Sequence, residues 1–76
     1  MSNAVTRLNN YFQSRQATHS VSWSEQLSGP KHQRKWTMQV KAFGELLGTG
    51  TADTKSVAKE KAAEEALVAL GIIQSE

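Results

Sequence analysis

The sequence has no cysteine. That excludes a disulfide staple and any thiolate metal site, and it permits a reducing compartment. Apolar runs are short, so no stretch reads as a membrane span, and the N-terminal residues lack the apolar centre of a signal peptide. Proline occurs once, at Pro30, in a stretch read below as a strand connection. Charge of one sign is scarce: nine Lys and Arg face seven Asp and Glu, for a net charge of +2. The isoelectric point of about 9.2 does not by itself argue for nucleic acid; where the charge sits matters more. The two histidines have no metal-ligand spacing, and no Ser-His-Asp set or carboxylate cluster accompanies the basic residues. No catalysis, cofactor, metal or small-molecule substrate is therefore expected. What remains is 38% hydrophobic residues with two Trp, two Phe and one Tyr. That suffices for one small core and is too much for a disordered chain of low net charge. Without repeats, low-complexity tracts or linkers, residues 1–76 are expected to form a single domain with an ordered core of about 4–71.

Residues from about Asn3 to Arg15 read as a helix. Val5, Leu8 and Phe12 recur at helical spacing, with Ala4 and Tyr11 flanking them, and Ser2 or Asn3 is placed to cap it. From about His19 to Phe43 the period changes to two. Val21 and Trp23 alternate with serines, and Trp36, Met38, Val40 and Ala42 alternate with Thr37, Gln39 and Lys41. These predict two half-buried strands joined through Ser28-Gly29-Pro30-Lys31-His32. Gly44 marks a turn, and a third strand follows around Glu45–Thr51, where the glycines suggest a bulge or a close approach. A second helix spans about Thr54 to Leu70, with Gly71 at its C′ position. The pattern α-β-β-β-α predicts an α+β fold: a three-stranded antiparallel sheet with two helices packed on one face. Ala58, Ala62, Ala66 and Ala69 form a small-residue stripe that would let the second helix lie close on a sheet carrying Trp and Met.

The start of that second helix is the most informative feature. Lys55 and Lys59 fall in its first turns, where the helix dipole disfavours cations by a few tenths of a kcal/mol, up to about 1. They are also four residues apart on one face, and their mutual repulsion costs about 0.2–0.5 kcal/mol more. The preceding stretch, Gly48-Thr49-Gly50-Thr51-Ala52-Asp53-Thr54, is small and polar and leaves the helix end open. A polyanion there would offset both costs, because backbone N–H groups and ammonium groups would point at it together.

Three segments, in order and at matching spacing, resemble the double-stranded RNA-binding domain family over nearly the whole chain. The first is Leu8-Asn9-Asn10-Tyr11-Phe12-Gln13 in the first helix. The second is Gly29-Pro30-Lys31-His32, followed by Trp36 and Val40. The third is Gly48 to Lys59, a Gly-rich approach to a Lys-Lys-x-Ala-Lys-like helix start, continued by Ala62-Ala63 and Ala66-Leu67. The resemblance implies sequence-tolerant binding of A-form double-stranded RNA in an intracellular setting, cytoplasmic or nuclear. It implies a three-part grip across about 16 bp, on two successive minor grooves and the phosphates between them.

The resemblance assigns the contacts as follows. The first helix would present Thr6, Asn9, Asn10 and Gln13 to one minor groove; Thr6, Asn10 and Gln13 form an uncharged stripe that both donates and accepts, which suits 2′-hydroxyls. The loop of Gly29, Pro30, Lys31 and His32 would enter the next minor groove. Thr54, Lys55, Ser56 and Lys59 would meet the phosphates. Arg7 and Arg15 are candidate peripheral phosphate contacts. His19, Glu60, Glu64 and Glu65 read as solvated surface. Trp23, Trp36, Tyr11 and Phe12 are assigned to the core rather than to base stacking, since bases in an intact duplex are already stacked. Two positions depart from the family pattern: Ser56 replaces a lysine, and Asn10 stands where Glu is common. These departures support a second reading, a homodimerisation module of the same fold, or one for another protein partner, with weakened RNA binding.

Overall fold

The computed structural model describes residues 4–73; a cap at Ser2 or Asn3 lies outside them. Helix α1 (Ala4–Ser14) leads through a 3-10 turn (Thr18–Ser20) to β1 (Val21–Ser28), β2 (Lys35–Ala42), β3 (Glu45–Ala52) and helix α2 (Lys55–Ala69). The strands form one antiparallel sheet in the order β1-β2-β3. The expected α-β-β-β-α order is the observed one.

Alternation along the strands sorts the two faces of the sheet. Trp23 pairs with Val40 and Trp36 with Leu27, while Met38 lies opposite Gly50 and Val40 opposite Gly48. This face carries the helices, α2 against β2 and β3, and α1 against α2. The other face holds Ser22, Ser24, Gln26, Thr37, Gln39, Thr49 and Thr51, all polar. Leu8, Leu67 and Val40 are fully buried, and each contributes about 1.5–3 kcal/mol relative to exposure.

Strand β3 shows both a bulge and a close approach, and its glycines account for the second. The register slips between Val40 and Lys41, which leaves Leu47 as the extra residue of a β-bulge. Gly48 and Gly50 lie directly under α2. A Cβ on Gly50 would come within 2.2 Å of the Ala58 carbonyl oxygen, and one on Gly48 within 2.2 Å of that of Ala62. The closest approach of the helix is therefore backbone against backbone over β3, beside the strands that carry Met38 and the tryptophans. Ala58, Ala62 and Ala66 are buried along it, together with Ala63 and Leu67, but Ala69 is exposed. By Ala69 the helix has passed Gly48, and a groove of about 390 Å³ opens there between Leu46, Leu47, Phe43 and Tyr11.

Both helices end in the same hydrogen-bonded cap, with a residue of positive φ at C′. In α1, Gln16 (φ 56) holds that place, with Gln16 N–H donating to Gln13 and Ala17 N–H to Phe12. In α2 it is the expected Gly71 (φ 76), with Gly71 N–H donating to Val68 and Ile72 N–H to Leu67. The start of α1 corrects one expectation. Glu60 is not plain surface: its carboxylate accepts the N–H groups of Ala4 at 2.9 Å and Val5 at 3.1 Å, so α2 caps α1. Glu65 likewise accepts the N–H of Thr49 at 3.2 Å.

Candidate nucleic-acid interface

The path of the β1–β2 connection is set by one glycine and one backbone hydrogen bond. Gly29 has φ +97, and a Cβ there would lie 2.6 Å from the Gln33 carbonyl oxygen, so conformation and space both require glycine. Gln33 N–H donates to the Pro30 carbonyl at 2.9 Å, closing a turn with Lys31 and His32 at its centre. Both side chains are exposed at the tip.

Helix α2 opens as its sequence suggests. Thr54 is the N-cap, its hydroxyl accepting the N–H of Val57 at 3.2 Å. Lys55 and Ser56 are exposed, and Lys59 is half-buried. The two lysines are not bare, however. The Lys55 ammonium lies 5.0 Å above the Trp36 ring, and that of Lys59 lies 4.9 Å above Trp23. Each such contact contributes about 0.5–1 kcal/mol at an exposed site. Lys55 also meets the Glu25 carboxylate at 3.2 Å. The conflict read from sequence is therefore partly relieved within the fold, by aromatic faces and one acid that adjacent-residue patterns do not reveal.

These contacts bring the regions to one end of the molecule. Lys55 stands over Trp36, which pairs with Leu27, next to the base of the β1–β2 turn. Glu60, one residue past Lys59, holds the first turn of α1. The N-termini of both helices and the β1–β2 turn thus gather at one end, and the β2–β3 turn lies at the other with Leu70 and Arg15. Along α1, Thr6, Asn9, Asn10 and Gln13 are all exposed, opposite the buried Ala4, Leu8 and Phe12. Arg15 stacks 3.8 Å over Tyr11, near the far end.

Sequence reasoning did not assign a role to Arg34, Lys35, Lys61 or Glu25 here. Arg34 and Lys35 follow Lys31 closely enough for the cation run itself to have been the signal. Lys35 pairs with Asp53, just before α2, and its hydrogen bond and charge hold the Asp53 carboxyl below the usual range. Lys61 donates to the Thr51 carbonyl at 3.3 Å. Glu25 had no sequence signal, because it lies 30 residues from Lys55. Among the described residues no group of His, Asp or Glu is placed to hold a metal ion, and no helix is long and apolar enough to cross a membrane.

No match is found among curated proteins. Among solved structures, the chain is similar to the solution structure of both dsRBDs of DRB4 with their linker. The identity is 24% and the TM-score 0.74, covering 96% of this chain and 47% of that one, so the chain spans about half its length. It is also similar to the solution structure of DRB4 dsRBD2, with 25% identity and a TM-score of 0.68, covering 87% of this chain and 92% of that one. These likenesses agree with the fold described above. The sequence profile described as the double-stranded RNA binding motif matches residues 4–70, from the first described residue of α1 to the C-cap of α2. The chain belongs to the double-stranded RNA binding motif family.

Proposed function

We propose that this domain binds A-form double-stranded RNA with little sequence preference, reading shape and 2′-hydroxyls in the minor grooves and phosphates between them. Membership of the family supports double-stranded RNA as the ligand class in general. The observation that carries the finer reading is that a slim turn and the lysine-bearing start of α2 lie at one end of the fold beside the first turn of α1, from which an exposed, uncharged polar face runs along the helix. In this reading Thr6, Asn9, Asn10 and Gln13 of α1 enter one minor groove, and Gly29 to His32 enter the next. Lys55, Ser56 and Lys59, capped by Thr54, meet the intervening phosphates. A titration against an RNA duplex of about 20 bp and its DNA counterpart, at two salt concentrations, tests it. RNA-selective binding that weakens with salt is expected. Equal affinity for the DNA would overturn the shape reading.

Self-association through β3 is a second reading. It draws support from the position of β3 at the sheet edge and from Leu46 near its start, 49% exposed. Light scattering over a range of concentrations tests it; a mass constant at one chain would rule it out.

A further inference from the structure

Glu25 lies on β1, opposite Met38 and two residues before Leu27. Its carboxylate approaches the Lys55 ammonium with both oxygens, Oε1 at 3.3 Å and Oε2 at 3.2 Å. The same ammonium lies over Trp36. Lys59 differs: among the described residues it is in no ion pair, and its ammonium rests on Trp23 alone. Of the two lysines at the start of α2, one is thus presented on an aromatic platform, and the other is held by an internal anion.

Taking duplex-RNA binding as proposed above, we infer that Glu25 is an affinity-setting residue: its carboxylate occupies Lys55 in the free protein and must be exchanged for an RNA phosphate on binding. A carboxylate oxygen and a phosphate oxygen offer the ammonium the same kind of charge-assisted hydrogen bond. Binding therefore replaces one partner of Lys55 with another, and its gain at this position is the difference between the two. At Lys59 no carboxylate has to leave. The pair is half-exposed, with side-chain accessibilities of 48% for Lys55 and 51% for Glu25. An ion pair so placed is weak enough for a phosphate to displace it and strong enough to lower affinity by about two- to fivefold.

The test is a double-mutant cycle on the full chain, read by anisotropy of a labelled RNA duplex of about 20 bp. Glu25→Gln is expected to tighten binding by about two- to fivefold. Glu45→Gln, the same charge change beside the β2–β3 turn at the other end, should give clearly less. Lys55→Ala is expected to cost more affinity in the Glu25→Gln background than in the native one, because only there is Lys55 fully available. If Lys55 merely neutralised Glu25, the order would be reversed: Lys55→Ala would cost less once Glu25 is gone. That reversal, equal costs in both backgrounds, or equal gains from Glu25→Gln and Glu45→Gln would each overturn the inference while duplex binding stood. Failure of the native chain to bind would overturn the duplex-RNA reading instead. Binding by Glu25→Gln alone would then still support the internal anion, and no binding by either protein would remove both.

Discussion

Gly50 shows how much of this fold rests on a missing side chain. A Cβ there would face the Ala58 carbonyl oxygen at 2.2 Å and the Ala62 nitrogen at 2.5 Å, and both are helix backbone that cannot turn aside. Gly50→Ala must lift α2 from β3, and it is expected to destabilise the domain by about 1–3 kcal/mol in urea unfolding. That is a large share of the roughly 4–11 kcal/mol available to a chain of this size. An unchanged midpoint would mean that the helix is less firmly seated than the contacts indicate. Phe43 presents the opposite case. It occupies the first place of a two-residue hairpin turn with φ 54, beside Gly44 at φ 77, a geometry that favours Asn-Gly. A bulky side chain in this region is strained, and at 72% exposure Phe43 recovers little by packing. Phe43→Asn is expected to raise stability by about 1 kcal/mol, visible as a higher melting temperature. A lower one would show that the ring holds the neighbouring groove together.

At the scale of elements, the domain is tied together by caps that cross between helices and strands. Glu60 receives the first two described N–H groups of α1, which adjoin the helix face assigned to the minor groove. Glu60→Ala keeps a good helix former in α2 and removes that cap, so the loss should fall on α1. The expected cost is about 1 kcal/mol, or a drop of about 4–8 °C in melting temperature. A melting temperature equal to that of the native protein would argue against the cap. The sheet and α2 were legible from the period-two alternation, the alanine spacing and Gly71, all local patterns. The partners of Glu60, Lys55 and Lys59 were not, since they lie 56, 30 and 36 residues away along the chain, respectively. Their meeting depends on α1 packing against α2 and on the width of the sheet beneath, quantities that no short window contains.

For the molecule as a whole, charge placement outweighs total charge. A net charge of +2 is modest, yet Lys31, Arg34, Lys35 and Lys55 lie around the β1–β2 turn and the start of α2, with Lys59 one helical turn further on. Ser56 interrupts this group at the place where the resemblance read from the sequence implies a lysine. Ser56→Lys is expected to tighten RNA binding. It should also steepen the dependence of log affinity on log salt by just under one, as one more phosphate is neutralised. Tighter binding with an unchanged slope would mean that position 56 does not reach the backbone of the duplex. Measured beside Glu25→Gln, this variant separates a cation added to the interface from one released within it.

Local chemistry determined the order of elements, the buried face of each, the turn at Gly29–His32, the cap at Thr54 and the family. These follow from side-chain period, backbone permissiveness and capping, which act over a few residues and are therefore written in short stretches of chain. Only the tertiary structure decided that the two lysines rest on tryptophans, that Glu25 holds one of them, that Glu60 caps α1 and that Ala69 misses the sheet. Each of these depends on a distance between elements set by packing, where the absent side chains of Gly48 and Gly50 draw α2 down and so place its first turn over the aromatic strands.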